Sequence, residues 1–125
     1  MEREKGFAYC GLACCLCSEN TTCSGCRNGG CSTKDWCRHS ICCREHGFSG
    51  CWQCPDFPCD APMFAKPRIL AFASFLRDHD EEDLARILAA NEAKGVVYHY
   101  EGQLIGDYDA LGDEEAILSY LQHSL

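Results

Sequence analysis

The chain has 125 residues, 13 of them cysteine, and a formal net charge of −8. That length supplies one domain, or two small lobes sharing one core. The charge argues against nucleic acid, whose binding rests on neutralising phosphates with Lys and Arg. The charge is also uneven. Residues 1–60 carry six Lys/Arg against seven Asp/Glu, and residues 61–125 carry five against twelve.

All the cysteines fall between Cys10 and Cys59. The first sixty residues hold few large apolar side chains: Phe7, Leu12, Leu16, Trp36, Ile41, Phe48, Trp52 and Phe57. A segment of that size buries only roughly 60% of its unfolded surface, so it needs cross-links. Gly6 to Cys17 is uncharged and as long as the apolar core of a secretion signal. The mixed-sign Met1-Glu2-Arg3-Glu4-Lys5 before it and the cysteines within it oppose that reading. No stretch approaches the roughly 18 apolar residues of a membrane span. The expectation is a cytoplasmic protein whose thiols stay reduced.

Residues 1–62 read as a cysteine-rich metal-binding region of loops and zinc knuckles, with a helical turn or two within Lys34–His46. Pro55, Pro58 and Pro62 set an extended turn at its end. Residues 63–125 read as an acidic helical region packed on the first as one unit. Pro67 suits a first helical turn, and Ile69, Phe72, Ala73 and Leu76 give a helix over 64–77. Asp80 is an N-cap, followed by Glu81, Glu82 and Asp83 at the positive end of the helix dipole. Leu84, Ile87 and Leu88 form its buried stripe, and Lys94-Gly95 its stop. Val96 to Tyr100 reads as a strand turning at Glu101-Gly102 into Gln103-Leu104-Ile105, a β-hairpin. A last helix over 113–123 buries Ile117, Leu118 and Leu121. The expected class is a small metal-stabilised α+β fold. An irregular knuckle half with short helical turns joins a half of about three helices and a hairpin.

The cysteines follow a frame: Cys10-x3-Cys14-x2-Cys17, Cys23-x2-Cys26, Cys37-x4-Cys42 and Cys51-x2-Cys54-x4-Cys59. A two-residue gap lets a tight turn aim two thiolates at one ion, about 2.3 Å from each sulfur. Zinc is the first expectation. An iron–sulfur cluster is the second, because Cys10, Cys14 and Cys17 match a three-cysteine cluster loop. A disulfide framework is the third, and an odd cysteine count leaves it one thiol over.

Within this frame, Tyr9-Cys10-Gly11-Leu12-Ala13-Cys14-x2-Cys17, Cys23-Ser24-Gly25-Cys26 and Cys51-Trp52-Gln53-Cys54-Pro55-Asp56-Phe57-Pro58-Cys59 carry a resemblance. The segment resembles a family of small cysteine-rich bacterial and archaeal proteins, domain of unknown function 3795, over residues 9–59. The resemblance implies metal binding, presumed to be zinc, and no reaction. The ligands it implies are Cys10, Cys14, Cys17, Cys23, Cys26, Cys37, Cys42, Cys51, Cys54 and Cys59. Cys15, Cys31 and Cys43 are additions outside that set.

Ten candidates exceed the eight thiolates of two closed sites, so about two zinc ions are expected. A cross-braced arrangement would join Cys14/Cys17 to Cys37/Cys42, and Cys23/Cys26 to Cys51/Cys54. His39 and His46 are alternative ligands, although surface positions are the simpler expectation. Trp36, Trp52 and Phe57 are expected to cover the metal sites. Asp107-Tyr108-Asp109-Ala110-Leu111-Gly112 fails as a calcium loop because Leu111 and Leu118 occupy ligand positions. It reads as a turn into an acidic helix start. The functional expectation is a non-catalytic zinc-stabilised adaptor with a protein partner. An iron–sulfur or thiol redox protein is the alternative, and a zinc enzyme with an open coordination position follows.

Overall fold

Between Arg68 and Arg77 the chain runs through eight residues without a charge, Ile69 to Leu76. Pro67 opens that run as a helix, since its fixed φ and missing N–H suit a first turn. In the computed structural model of the chain, which describes residues 6–16, 38–59, 62–100, 103 and 105–124, this helix is the central element. It follows α1 (Arg38–His46) and precedes α3 (Glu81–Ala93) and α4 (Glu114–His123), and is α2 (Pro67–Asp78).

The expected stripe of α2 was Ile69, Phe72, Ala73 and Leu76. The helix buries Ala71 and Phe75 as well, so it is apolar nearly all round and covered on more than one side. One covering layer is α4, which turns Ile117 and Leu121 inward and leaves Leu118 half-buried. The other comes from the cysteine-rich half and the turn that joins it to α2. The short 3-10 turns Cys51–Gln53 and Pro62–Ala65 pack on α2, bringing Trp52 and Phe64 with them. Phe7, Ala8, Ala13, Cys15 and Cys43 join the same buried cluster as Phe72 and Leu88. The core therefore runs across the sequence break near residue 62.

Helix ends follow local chemistry. The Asp80 carboxylate accepts from the Asp83 N–H at 2.8 Å, and the Asp113 carboxylate accepts from the Ala116 N–H at 2.8 Å. Each satisfies an amide that the first turn leaves without a helical partner. α3 turns Leu84, Ile87 and Leu88 inward, as its spacing required, and adds Asn91, whose amide donates to the Tyr108 hydroxyl at 3.3 Å.

The α+β expectation is overturned. Among the described residues there is no strand, and the regular structure is helical throughout. The segment after α3 does double back: the Tyr100 N–H donates to the Ile105 carbonyl and the Asp107 N–H to the Val97 carbonyl. The Val97 N–H, which would close a ladder pair with the Asp107 carbonyl, goes instead to the Asp107 carboxylate at 2.7 Å. The Gly106 N–H is held by Asp109 at 2.8 Å. The alternation of a strand is also missing. Tyr98 and His99 are both buried, with ring centroids 4.6 Å apart, instead of facing opposite ways. Gly106 lies so close to Tyr98 that a Cβ would fall 1.9 Å from the Tyr98 carbonyl oxygen. Only glycine permits that approach.

Tyr98 ties this loop to both halves. Its hydroxyl accepts from the Ala13 N–H at 3.0 Å, and the Arg68 guanidinium lies 4.5 Å over its ring. Arg68, almost fully buried, also pairs with Asp109 at 3.1 Å. The 107–112 segment is thus a structural turn, with both aspartates occupied by donors from the chain.

The Val97 N–H, and after it the Tyr100 hydroxyl, hold the Asp107 carboxyl below the usual carboxylate range. The same bond pushes the Tyr100 hydroxyl up. A lowered carboxyl contributes stability above its unfolded pKa and loses it as pH falls through the folded value. Protection of the Val97 amide in hydrogen exchange should therefore drop as pH falls below the ordinary aspartate range. Unchanged protection in acid would show that another group holds the loop.

Candidate metal centre

Helix α1 places Cys42 and Cys43 on adjacent positions near its C-terminus, and the Phe48 N–H closes the helix on the Cys43 carbonyl. The chain then crosses Gly50 beneath the Trp52 ring. A Cβ at Gly50 would lie 2.1 Å from Trp52 Cη2, so glycine lets the indole fold back over its own backbone. The next turn, Cys51–Gln53, is anchored from the N-terminal segment, where the Tyr9 carbonyl accepts the Cys51 N–H at 2.8 Å. Cys54 follows with its N–H on the Cys51 carbonyl, and its sulfur accepts from the Asp56 N–H at 3.4 Å. That N–H···S contact is the local geometry a two-residue gap produces when the chain wraps around a sulfur.

These elements surround one cavity of about 140 Å³. Its walls are the thiols of Cys42, Cys43, Cys51, Cys54 and Cys59, with His39, Phe48, Asp56 and Phe57. Cys43 and Cys51 are buried at the back, while Cys42, Cys54 and Cys59 are half-buried. Cys43 Sγ lies 3.6 Å from Cys51 Sγ, and His39 Nδ1 lies 3.2 Å from the same sulfur. At the rim, His46 stacks on Phe48 and places Nδ1 3.7 Å from Cys42 Sγ and 2.8 Å from the Cys42 carbonyl. Phe57 lines the cavity and packs edge-on against Phe64 at 5.2 Å, whereas Trp52 is buried with its ring over Gly50 and is not part of the cavity wall.

The electrostatics are those of crowded thiols. Burial pushes Cys42 up, and the neighbouring Cys54, Cys51 and Cys59 push it further. Cys51 is pushed up by its hydrogen bond with Cys43, then by burial, while His39 works against both. Each thiolate formed here disfavours the next, and a divalent cation reverses that balance. The donor set thus fits a thiophilic ion in residue type and in placement round one cavity. Among the described residues, however, no three Cys, His, Asp or Glu side chains are drawn together tightly enough to hold an ion as they stand.

Of the ten framed cysteines, Cys42, Cys51, Cys54 and Cys59 share this cavity. Cys10 is buried in the turn next to the Tyr9 carbonyl that holds Cys51. Cys17, Cys23, Cys26 and Cys37 lie outside the described residues, as do Cys31, Trp36 and the side chain of Cys14. The cross-brace placed Cys42 apart from Cys51 and Cys54, whereas the structure gathers these three around one cavity. Cys43, counted as an addition, lies in its wall, and Cys15 is a core residue. His39 is not a surface residue but 3% exposed. The available signal was helical spacing: His39 and Cys43 are four apart on α1, as are Cys42 and His46.

Residues 18–63 match a family model described as a protein of unknown function (DUF3795). The resemblance read from the cysteine frame is therefore to that family, over a segment that contains Cys23 to Cys59 and leaves Cys10, Cys14 and Cys17 before it. The description names neither an activity nor a metal. No curated protein and no solved structure matches the chain.

Proposed function

We propose that this chain, with its family-matched cysteine segment, is a non-catalytic zinc-binding module that serves as a protein adaptor. In this reading Cys42, Cys51, Cys54 and Cys59 hold one ion. The other framed cysteines, Cys10, Cys14, Cys17, Cys23, Cys26 and Cys37, supply the ligands of a second. The supporting observation is the gathering of framed thiols from α1 and from the 51–59 knuckle around a single cavity. Four thiolates close a tetrahedral site and leave no position for a reactive water, so the metal is structural. The acidic helical half is the surface offered to a partner. Among the described residues no helix is long and apolar enough to cross a membrane. The reduced thiols this reading needs place its work in the cytoplasm.

Anaerobically purified protein should be colourless and carry roughly two zinc ions per chain. Replacing Cys54 and Cys59 together by Ser should remove one ion and leave the other. A brown protein absorbing near 400 nm would favour the iron–sulfur alternative. An unchanged zinc count in the double variant would show that these thiols are not ligands.

A further inference from the structure

We infer that His39 positions the Cys51 sulfur through an Nδ1–H···Sγ hydrogen bond and does not itself bind the ion. This rests on the metal reading above and adds which groups shape the site from behind. The tautomer follows from the backbone. The Met63 N–H can only donate, and its acceptor is His39 Nε2 at 3.2 Å. Nε2 must therefore present its lone pair, and the ring proton of neutral histidine then sits on Nδ1. Nδ1 is 3.2 Å from Cys51 Sγ, so the ring donates to sulfur.

Both nitrogens are thereby committed. One is fixed to the 3-10 turn that leads into α2, and the other to a candidate ligand. No lone pair is left for a metal, which removes His39 from the ligand alternatives. The ring is also immobilised, 3% exposed with the edge of Phe64 against it at 4.9 Å. A fixed N–H on a thiolate sulfur selects its rotamer and draws off part of its charge, as outer hydrogen bonds to metal ligands do elsewhere. The Cys51 sulfur thus reaches the cavity already aimed, and the aim is set by Met63, on the path to the helical core. On this account His39 couples the metal pocket to α2.

Two substitutions separate the roles of the two nitrogens. In His39→Asn, the side-chain amide N–H can occupy the place of Nδ1, keeping the donor to Cys51 and losing the acceptor for Met63. In His39→Gln, the amide oxygen can occupy the place of Nε2, keeping the Met63 bond and losing the donor to sulfur. The probe is cobalt(II), titrated into the full chain against a competing chelator. The sulfur-to-cobalt charge-transfer band is read alongside affinity, and circular dichroism checks the fold. His39→Gln should weaken one equivalent of cobalt by about 10–100-fold and shift its band, while His39→Asn stays within about threefold of the parent chain. Equal behaviour of His39→Gln and the parent would overturn the inference. So would equal losses in the two variants, which would mark a structural or direct-ligand role. A parent chain that takes up no cobalt would overturn the metal reading and this inference together, a result distinct from either variant pattern.

Discussion

Stripping metal from the loaded protein is expected to unfold the cysteine-rich half in one cooperative step. A structural zinc contributes on the order of 10–16 kcal/mol of apparent binding free energy at neutral pH, against roughly 5–15 kcal/mol of total stability for a domain. Residues 6–59 have little with which to replace it. Among that half's described residues the buried apolar side chains are Phe7, Ala8, Ala13 and Trp52, and the other buried hydrophobic residues there are cysteines. Removal of the ion also leaves Cys42, Cys51, Cys54 and Cys59 crowded without a counter-charge. Trp52 reports the event, since its indole is buried one residue from Cys51 and against α2. Its fluorescence should move to the solvent-exposed range as the chelator takes the metal. Far-ultraviolet dichroism should fall with it, because α2 loses one covering layer. If Trp52 stays buried after the metal is verified absent, packing alone holds this half.

Phe72→Ala should cost about 3–5 kcal/mol, the range for removing a fully buried aromatic ring from a close-packed core. Phe72 is 0% exposed and sits where the layers meet. Its ring centroid lies 5.9 Å from Tyr98 and 5.5 Å from Tyr108, in tilted and edge-on contacts that add to simple burial. Tyr98 in turn holds the Ala13 amide and lies under Arg68, so a cavity at Phe72 loosens a polar cluster as well as apolar contacts. Urea unfolding of the metal-loaded variant should show a lower midpoint with the slope unchanged, the product of slope and midpoint shift giving that loss. A loss below about 1 kcal/mol would mean that α2 is not the common core of both halves.

The helices were legible because their signals are local. Pro67, Asp80 and Asp113 each act within one turn of the residues they organise and open α2, α3 and α4, while the start expected at residue 64 falls in a separate 3-10 turn, Pro62–Ala65. The strand at 96–100 was misread for the opposite reason. Val-Val-Tyr-His-Tyr has strand-forming residues, but strand preference is decided by what pairs with the chain. Here the Asp107 carboxylate captures the Val97 amide that a ladder would use, and Asp109, paired with Arg68 from α2, holds the neighbouring Gly106 amide. Nothing within the five residues carries that information. The thiol frame was legible as a set of spacings, which is how Cys51, Cys54 and Cys59 came to be grouped. The meeting of Cys42 with that group depends on how α1 packs, a tertiary fact. The burial of His39 depends on the Met63 amide 24 positions away.

X-ray absorption at the zinc edge of the loaded chain tests the central claim most directly. Sulfur-only coordination, about four atoms at about 2.3 Å, is the predicted result, with no nitrogen from His39. A shell of nitrogen or oxygen at about 2.0–2.1 Å, or purified protein without zinc, would contradict it.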